Sequence, residues 1–433
     1  MNIYLIFILL IFFTVGLNTI PQQYLGKRWN GYVRYAVPAS IMILFLGTFS
    51  RPLRHELFSD FFKGYYRAGR LIIQNPSSLY NSDLYNNMFG FVNIPIVAFL
   101  FTPFSLIDKL TAIVLFSFLG ILSVIASCYF LLKITRISGW QRIVMLGLFA
   151  INGPLYHSLR YANLTHFVLL LLVVAWFCLT KQREVWVGIL LAIACLIKIP
   201  LFLLGVYFAL RKRWRVLAGF CLALLGIVGT SLLFWGFDLH LSWLQHIEQF
   251  SGRPISAYNV QSLDSFLVRL LPKTNGELTN WQPIEVGWEF KVIRYALLSL
   301  LVGATFWVCW RSKKPSSLEE ENLEFSIVLC LALVISPIAW THYYLLLLLP
   351  LSLYLGNQLA VMNGRLWSTL LAVSTLLISL PVITPELPNS IFMFVYSRLL
   401  VSHYFFGGVL LLGVLLATRW QSAKRARLPH SYL

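Results

Sequence analysis

Apolar stretches close to the length of helix that crosses a bilayer, about 20 residues, recur along nearly the whole chain. They run at about 3–20, 35–50, 110–132, 143–158, 164–180, 215–236, 292–310, 325–340, 341–356, 366–383 and 401–418. With 58% hydrophobic and only 12% charged residues among 433, the chain has too little polar surface to clothe a soluble core of this size. Ordinary globular domains carry roughly twice that charged fraction. The same hydrophobicity excludes intrinsic disorder. A nucleic-acid binder is excluded as well, because the net charge of +18 interrupts apolar blocks instead of gathering on a polar surface. The fold class expected is therefore all-α and polytopic, with a single membrane domain over residues 1–433.

Two stretches need a decision. Residues 92–107 are apolar but carry Pro95 and Pro103, and residues 185–210 are broken at Lys198-Ile199-Pro200. The stretch 3–20 lacks a basic start and a small-residue cleavage site, which reads as an anchor and not as a cleaved leader. Lys and Arg accumulate in short cytoplasmic loops, and that rule orients the chain. If 92–107 dips in and returns, and 185–210 folds as a hairpin with Lys198 near its apex, the cytoplasmic segments are 21–34, 133–142, 181–184, 211–215, 311–324, 357–365 and 419–433. These hold 20 Lys and Arg in 71 residues, against 13 in the 137 residues assigned outside. Crossing fully at 92–107 would place Arg211-Lys212-Arg213-Trp214-Arg215 outside, so that option is rejected. About 11 to 13 spans result, with two large outer loops at about 51–109 and 237–291 and a cytoplasmic C-terminus.

Eleven of the sixteen acidic residues fall on the outer side, and the cytoplasmic loops are short, basic and free of a glycine-rich nucleotide cradle. Any chemistry belongs on the outer face. Six cysteines, all inside apolar stretches and without Cys-x-x-Cys spacing, read as small core hydrophobes. No disulfide framework and no metal-ligand motif appear, His240, His246 and Glu248 being too scattered for a site.

In the first loop the spacing predicts a helix with Lys63, Arg67, Arg70 and Gln74 on one stripe and Phe62, Tyr66, Ile73 and their neighbours on the other side. Such a helix suits a membrane interface, apolar face down and basic face toward phosphates. Asp60 stands at its start, either as a helix N-terminal carboxylate or as a functional acid. Lys198 interrupts an otherwise apolar hairpin. It either snorkels or faces an anion that compensates its buried charge. His342, in Trp340-Thr341-His342-Tyr343-Tyr344, is an aromatic-belt hydrogen-bonder or a catalytic group. In the second loop Ser262 is placed to cap a short helix whose apolar stripe is Leu263, Phe266, Leu267, Leu270 and Leu271. Capping leaves Asn259 and Gln261 unexplained.

Taken together these segments resemble glycosyltransferase family 87, membrane-embedded mannosyltransferase-like proteins of the GT-C fold that use polyprenyl-phosphate sugars. The resemblance runs over roughly residues 55 to 345. It rests on Asp60-Phe61, Tyr66, Ala68, Leu71 and Tyr80; on the Pro95 to Pro103 segment; on Gly188, Lys198 and Pro200; on Gln261-Ser262-Leu263 with Arg269-Leu270; and on Ser336-Pro337, Trp340 and His342-Tyr343. Departures are an Asn75-Pro76 or serine in place of a glycine before Leu79-Tyr80, Ala162-Asn163 in place of a Gly-Gln, and the additional stretch at 3–20.

The resemblance implies an outer-face site that moves a sugar, possibly mannose, from a polyprenyl-phosphate donor to a lipid or glycan acceptor, with inversion at the anomeric carbon. It implies Asp60 as the catalytic base, His342 as a second catalytic group, and Lys198, Arg67 and Arg70 as contacts to the donor phosphate. Tyr66, Asn163, Gln261, Ser262 and Trp340 become substrate contacts. No cofactor, no metal and no nucleic-acid partner is expected; membrane lipids surround the protein. The competing reading is a transporter or lipid flippase, against which no internal repeat is visible and the polar residues lie on one face. A glycan ligase or polymerase of the cell envelope is a third.

Overall fold

Asp108 starts the first long helix. Its carboxylate accepts from the backbone N–H of Leu110 and Thr111, both at 3.0 Å, which satisfies donors that a helix start leaves open. In the computed structural model the described residues are 57–81, 90–137, 139–274, 277–311, 314–315, 317–359, 361–362, 364–382 and 391–425. The apolar stretches at 3–20 and 35–50 lie outside them.

Among the described residues the chain is helical, with one isolated antiparallel bridge between Val260 and Trp340. A π-helix Asp60–Tyr66 runs into α1 (Arg67–Gln74). Two short helices, Pro95–Phe99 and Thr102–Ser105, lead to α2 (Lys109–Thr135). The bundle continues with α3 (Thr165–Thr180), α4 (Glu184–Ile197), α5 (Phe202–Leu210) and α6 (Trp214–Ser251). After these come α7 (Leu263–Arg269), α8 (Trp288–Arg311), α9 (Leu318–Val334) and α10 (His403–Arg425). Four segments among the described residues are long and apolar enough to cross a membrane: Lys109–Thr135, Trp214–Gln249, Trp288–Arg311 and Ile391–Ser422. Shorter apolar helices, α3, α4 and Arg365–Ser379 among them, pack beside them.

This is a polytopic, all-α membrane protein. The lipid-facing surface is recognisable from side chains no soluble protein would leave bare in such number. Leu225, Leu233 and Phe234 of α6 and Leu300 and Trp310 of α8 are all more than half exposed. Trp288 stands at one end of α8 and Trp307 and Trp310 at the other, the placement that tryptophan takes at the two membrane–water boundaries.

The 92–107 stretch contains helices of five and four residues, each opened by a proline in its first turn. At about 1.5 Å per residue neither can cross. The 185–210 stretch is a true hairpin. Arg213 and Glu184 meet at 3.0 Å, so the start of α4 and the end of α5 lie together, and Lys198, in extended backbone between them, is at the far apex. The first helix of the hairpin, α4, packs closely on α6 because the two touch at glycine. A Cβ on Gly188 would lie 2.0 Å from the Val216 carbonyl oxygen, and one on Gly219 would lie 2.2 Å from that of Val185. Small residues at a crossing are how membrane helices bring backbones into contact.

At Gly236, φ 72 and ψ 173 interrupt α6 with a kink. His240 staples this kink, one ring nitrogen 2.7 Å from the Gly236 carbonyl and the other 2.8 Å from Ser231 Oγ.

The end of the bundle opposite Lys198 is closed by ion pairs. Glu324 is fully buried between Arg211 and Arg419; Arg211 Nε donates to it at 2.7 Å and Arg419 Nε at 2.9 Å. Arg213 holds Glu321 at 2.7 Å, and Arg419 reaches Glu320 at 3.3 Å. These pairs tie α5, α9 and α10 together.

Candidate active site

At the apex end lies the helix of the first loop. Its buried face is Phe61, Tyr65, Tyr66, Ala68 and Ile72, while Ile73 is 46% exposed and Phe62 only half-buried. The first two turns are π-helical, and the wider turn offsets the faces of the helix by a residue. Lys63, Arg70 and Gln74 are exposed, as the stripe predicts.

Asp60 opens this helix, yet its carboxylate is turned inward. The backbone N–H of Asp60 donates to the Tyr161 carbonyl at 3.1 Å, which lays the helix start on the turn before α3. There Asn163 Nδ2 donates to Asp60 Oδ2 at 2.6 Å. The other end of the same amide is crowded with donors. Asn163 Oδ1 accepts from Thr165 N at 3.0 Å, from Thr165 Oγ1 at 2.7 Å and from Lys198 Nζ at 3.2 Å. Three donors on one side and an acceptor on the other determine the amide's orientation. One asparagine thus sits between a carboxylate and an ammonium brought from three separate parts of the chain.

Lys198 is 5% exposed, and its Nζ lies 4.1 Å above the centre of the Tyr343 ring. A desolvated ammonium over an aromatic face is held electrostatically. The apex itself is pinned by Asn93, whose Nδ2 donates to the Ile197 carbonyl at 2.9 Å. Tyr80 in turn donates to the Asn93 carbonyl at 2.8 Å. Asn163 Nδ2 also reaches Tyr65 Oη at 3.3 Å. Burial raises the Asp60 carboxyl above the ordinary carboxylate value. The Asn163 hydrogen bond and the charges of Lys198 and Lys63 work against that rise.

His342 is 4% exposed, and neither ring nitrogen has a hydrogen-bond partner. Its charged or titratable neighbours are Lys198, His157 and His166. A buried polar ring without partners costs stability and calls for an explanation; here it stands beside the Asp60–Asn163–Lys198 group. Among the described residues no group of three or more His, Cys, Asp or Glu is placed to hold a metal ion.

Other sequence candidates are differently occupied. Tyr66 Oη donates to the Ile107 carbonyl at 2.8 Å and so joins the first-loop helix to the start of α2. Ser262 caps α7, accepting from Ser265 N at 3.1 Å. Gln261 is fully buried, and its Nε2 bridges the carbonyls of Tyr258 and Val401 at 2.8 and 2.7 Å. Its Oε1 has no protein partner. Trp340 pairs with Val260, and Gln261 N donates to the Ala339 carbonyl at 2.6 Å. The Gln-Ser segment and the closing motif are therefore neighbours, 80 residues apart in sequence. Arg67 is half-buried and Arg70 exposed, seven and ten residues beyond Asp60 on the same helical run. Tyr343, Tyr65, Thr165 and Asn93 join the site without having been assigned a role from sequence. Tyr343 was visible only as the residue after His342, and the others carry no motif signal.

Residues 91–337 match the family described as glycosyltransferase family 87. The chain belongs to glycosyltransferase family 87. No individual curated protein matches the transferase. Asn163 and Lys198 lie inside the matched stretch and Asp60 and His342 outside it; Asp60 is joined to the matched stretch by its backbone bond to Tyr161 and by the hydrogen bond from the Asn163 side chain.

Proposed function

We propose that this transferase moves a sugar from a polyprenyl-phosphate donor to a hydroxyl of a lipid or glycan acceptor, with Asp60 as base and with inversion. The observation that carries the reading is the single Asn163 amide donating to Asp60 at 2.6 Å and accepting from Lys198 at 3.2 Å. It holds a proton acceptor and a cation at a fixed separation in a largely buried setting.

An acceptor hydroxyl is a weak nucleophile that must lose its proton as it attacks. In the proposed step its oxygen bonds to the anomeric carbon while the bond from that carbon to the phosphate oxygen breaks. Asp60 takes the hydroxyl proton. The bonding pair leaves with the lipid phosphate, whose added negative charge Lys198 stabilises. Arg67 and Arg70 supply further positive charge along the first-loop helix, and His342, its ring nitrogens unpartnered, is available to the substrate phosphate or hydroxyl. One base on the side away from the leaving group makes inversion the expected outcome. Asn163, Gln261 and Trp340 line the approach, the free Oε1 of Gln261 being the one acceptor it has left to offer. The basic residues gathered at the opposite end support a cytoplasmic C-terminus and a site on the outer face of the plasma (inner) membrane.

The test is transfer in detergent, where no compartments exist for transport to act on. Purified protein is incubated with labelled polyprenyl-phosphate sugars and candidate acceptor lipids. Labelled acceptor is expected with the natural protein and none with Asp60→Asn, which keeps donor binding. Unchanged turnover in Asp60→Asn overturns the mechanism.

A further inference from the structure

A second polar site lies where the outer part of α6 meets the segment leading into α8. Gln245, Glu248 and Gln249 stand on one face of α6, Glu248 three and Gln249 four residues from Gln245, the spacings that make helix side chains neighbours. Arg253, Glu285 and Lys291 form the facing wall. The facing wall is itself fastened by Ile284 N–H to the Pro254 carbonyl at 2.8 Å and by Arg253 and Glu285 at 3.7 Å. Between the two walls is an open cavity of about 690 Å³, within the range of small-ligand sites, about 300–1,000 Å³.

Its chemistry differs from the Asp60–Lys198 site. Two carboxylates face two cations, so the cavity offers no net field to a phosphate or a metal ion. What remains is a dense set of hydrogen-bonding groups, two of them amides that both donate and accept. That set matches a ligand that is neutral, hydroxylated and itself both donor and acceptor. Small-molecule pockets are usually lined by apolar side chains; here Val286 is the one apolar side chain in the lining.

The cavity is linked to the reaction site. His246, between Gln245 and Glu248 in sequence, packs its ring against Tyr80 at 5.7 Å. Tyr80 holds Asn93, and Asn93 holds Ile197, the neighbour of Lys198. Trp243, two residues before Gln245, donates to the Val92 carbonyl at 3.0 Å. Exposed Trp288, at the start of α8, marks the level of the membrane surface.

We propose that this cavity is a saccharide subsite that holds the glycan part of the acceptor, outside the reacting hydroxyl. The proposal rests on the glycosyltransferase reading above, and its test separates the two. Neutral linear trisaccharides of mannose, of glucose and of galactose are titrated into the purified full-length protein in detergent, with ligand NMR as the readout. The same glycan on a lipid anchor, inorganic phosphate and magnesium chloride are the parallel probes. At least one trisaccharide, free or lipid-anchored, is expected to bind, at least tenfold more weakly to Gln245→Ala/Gln249→Ala. In the transfer assay the same variant raises acceptor KM about tenfold and leaves donor KM unchanged. Both glutamines are exposed on a helix surface, so the fold is retained; Gln249→Trp, which fills the cavity, gives the same loss independently. Binding by both free and anchored glycan supports the subsite with either source, and binding by the anchored form alone supports it with a glycolipid as the source. Saccharide binding and acceptor KM that are indifferent to both variants overturn it, as does selective binding of phosphate or magnesium there. Asp60→Asn is expected to bind the trisaccharide without transferring sugar. If instead Asp60→Asn transfers while the glutamine variants still raise acceptor KM, the catalytic assignment fails and the subsite stands.

Discussion

Asn163 donates to Asp60 at 2.6 Å across 103 residues of sequence, while its carbonyl end accepts from Lys198. The amide touches both groups that the proposed reaction needs and is placed to act through them. Asn163→Ala removes the link and leaves both free to drift. Misplacement of about 1 Å costs catalysis on the order of 100-fold, and a loss of that size in kcat is expected, with a smaller change in donor KM. Asn163→Gln retains the amide and is expected to recover most of it. Rescue by glutamine but not by leucine distinguishes orientation of Asp60 from mere filling of space. Equal loss in both would reduce Asn163 to a packing residue.

The same contacts set a pH dependence. Burial raises the Asp60 carboxyl, and the Asn163 hydrogen bond and the Lys198 charge hold it down. A base must be ionised to act, so kcat/KM is expected to fall as pH drops through this raised value, at a higher pH than for an unperturbed carboxylate. Removing a group that favours the ionised form moves the limb further up: both Asn163→Ala and Lys198→Met should shift it toward neutral pH. A pH–rate profile of kcat/KM for the three proteins checks the sign. A limb that moves down in either variant contradicts Asp60 as the titrating base.

Much of the frame was legible in sequence, because hydrophobic length and the placement of Lys and Arg obey the membrane directly. The hairpin around Lys198-Ile199-Pro200 is an example: a charge and a proline inside an apolar run leave the chain few ways to fold. The Ser262 cap and the helix after it were legible for the same local reason. The Asp60–Asn163 contact was not, since nothing local to residue 163 says which carboxylate its amide will meet. The π-helical start of the first-loop helix was not legible, because a π-turn leaves no mark in a 3.6-residue pattern. Arg211, Arg213 and Arg419 read as topological markers only. In the folded chain they also engage Glu184, Glu320, Glu321 and Glu324, pairings that a count of charges per loop does not contain.

Tyr343 offers a test of how Lys198 is held. Its ring lies 4.1 Å below the ammonium, and this contact needs the ring, not the hydroxyl. Tyr343→Phe is expected to leave donor affinity near that of the natural protein. Tyr343→Leu removes a desolvated cation–π contact of about 0.5–2 kcal/mol, which corresponds to roughly 2- to 30-fold in donor KM. Comparing donor KM for the two variants under single-turnover conditions is sufficient. If phenylalanine proves as damaging as leucine, the hydroxyl carries the function and the ring contact is incidental.

Glu324 makes the opposite kind of prediction, one on stability without chemistry. Its carboxylate is fully buried and shared by Arg211 and Arg419, the latter 2% exposed. Replacing a buried ion's partner strands the remaining charge, at a cost of about 3–5 kcal/mol. Glu324→Gln keeps the shape and removes the charge that the two guanidinium groups share. A marked drop in the thermal unfolding temperature in detergent is expected, whereas Glu319→Gln, exposed in the first turn of the same helix, leaves it unchanged. Because the cluster lies at the end of the bundle away from Lys198, transfer per folded molecule at low temperature should match the natural protein. A variant that is stable but inactive would mean that the two ends of the bundle are coupled, and that the ion cluster does more than close it.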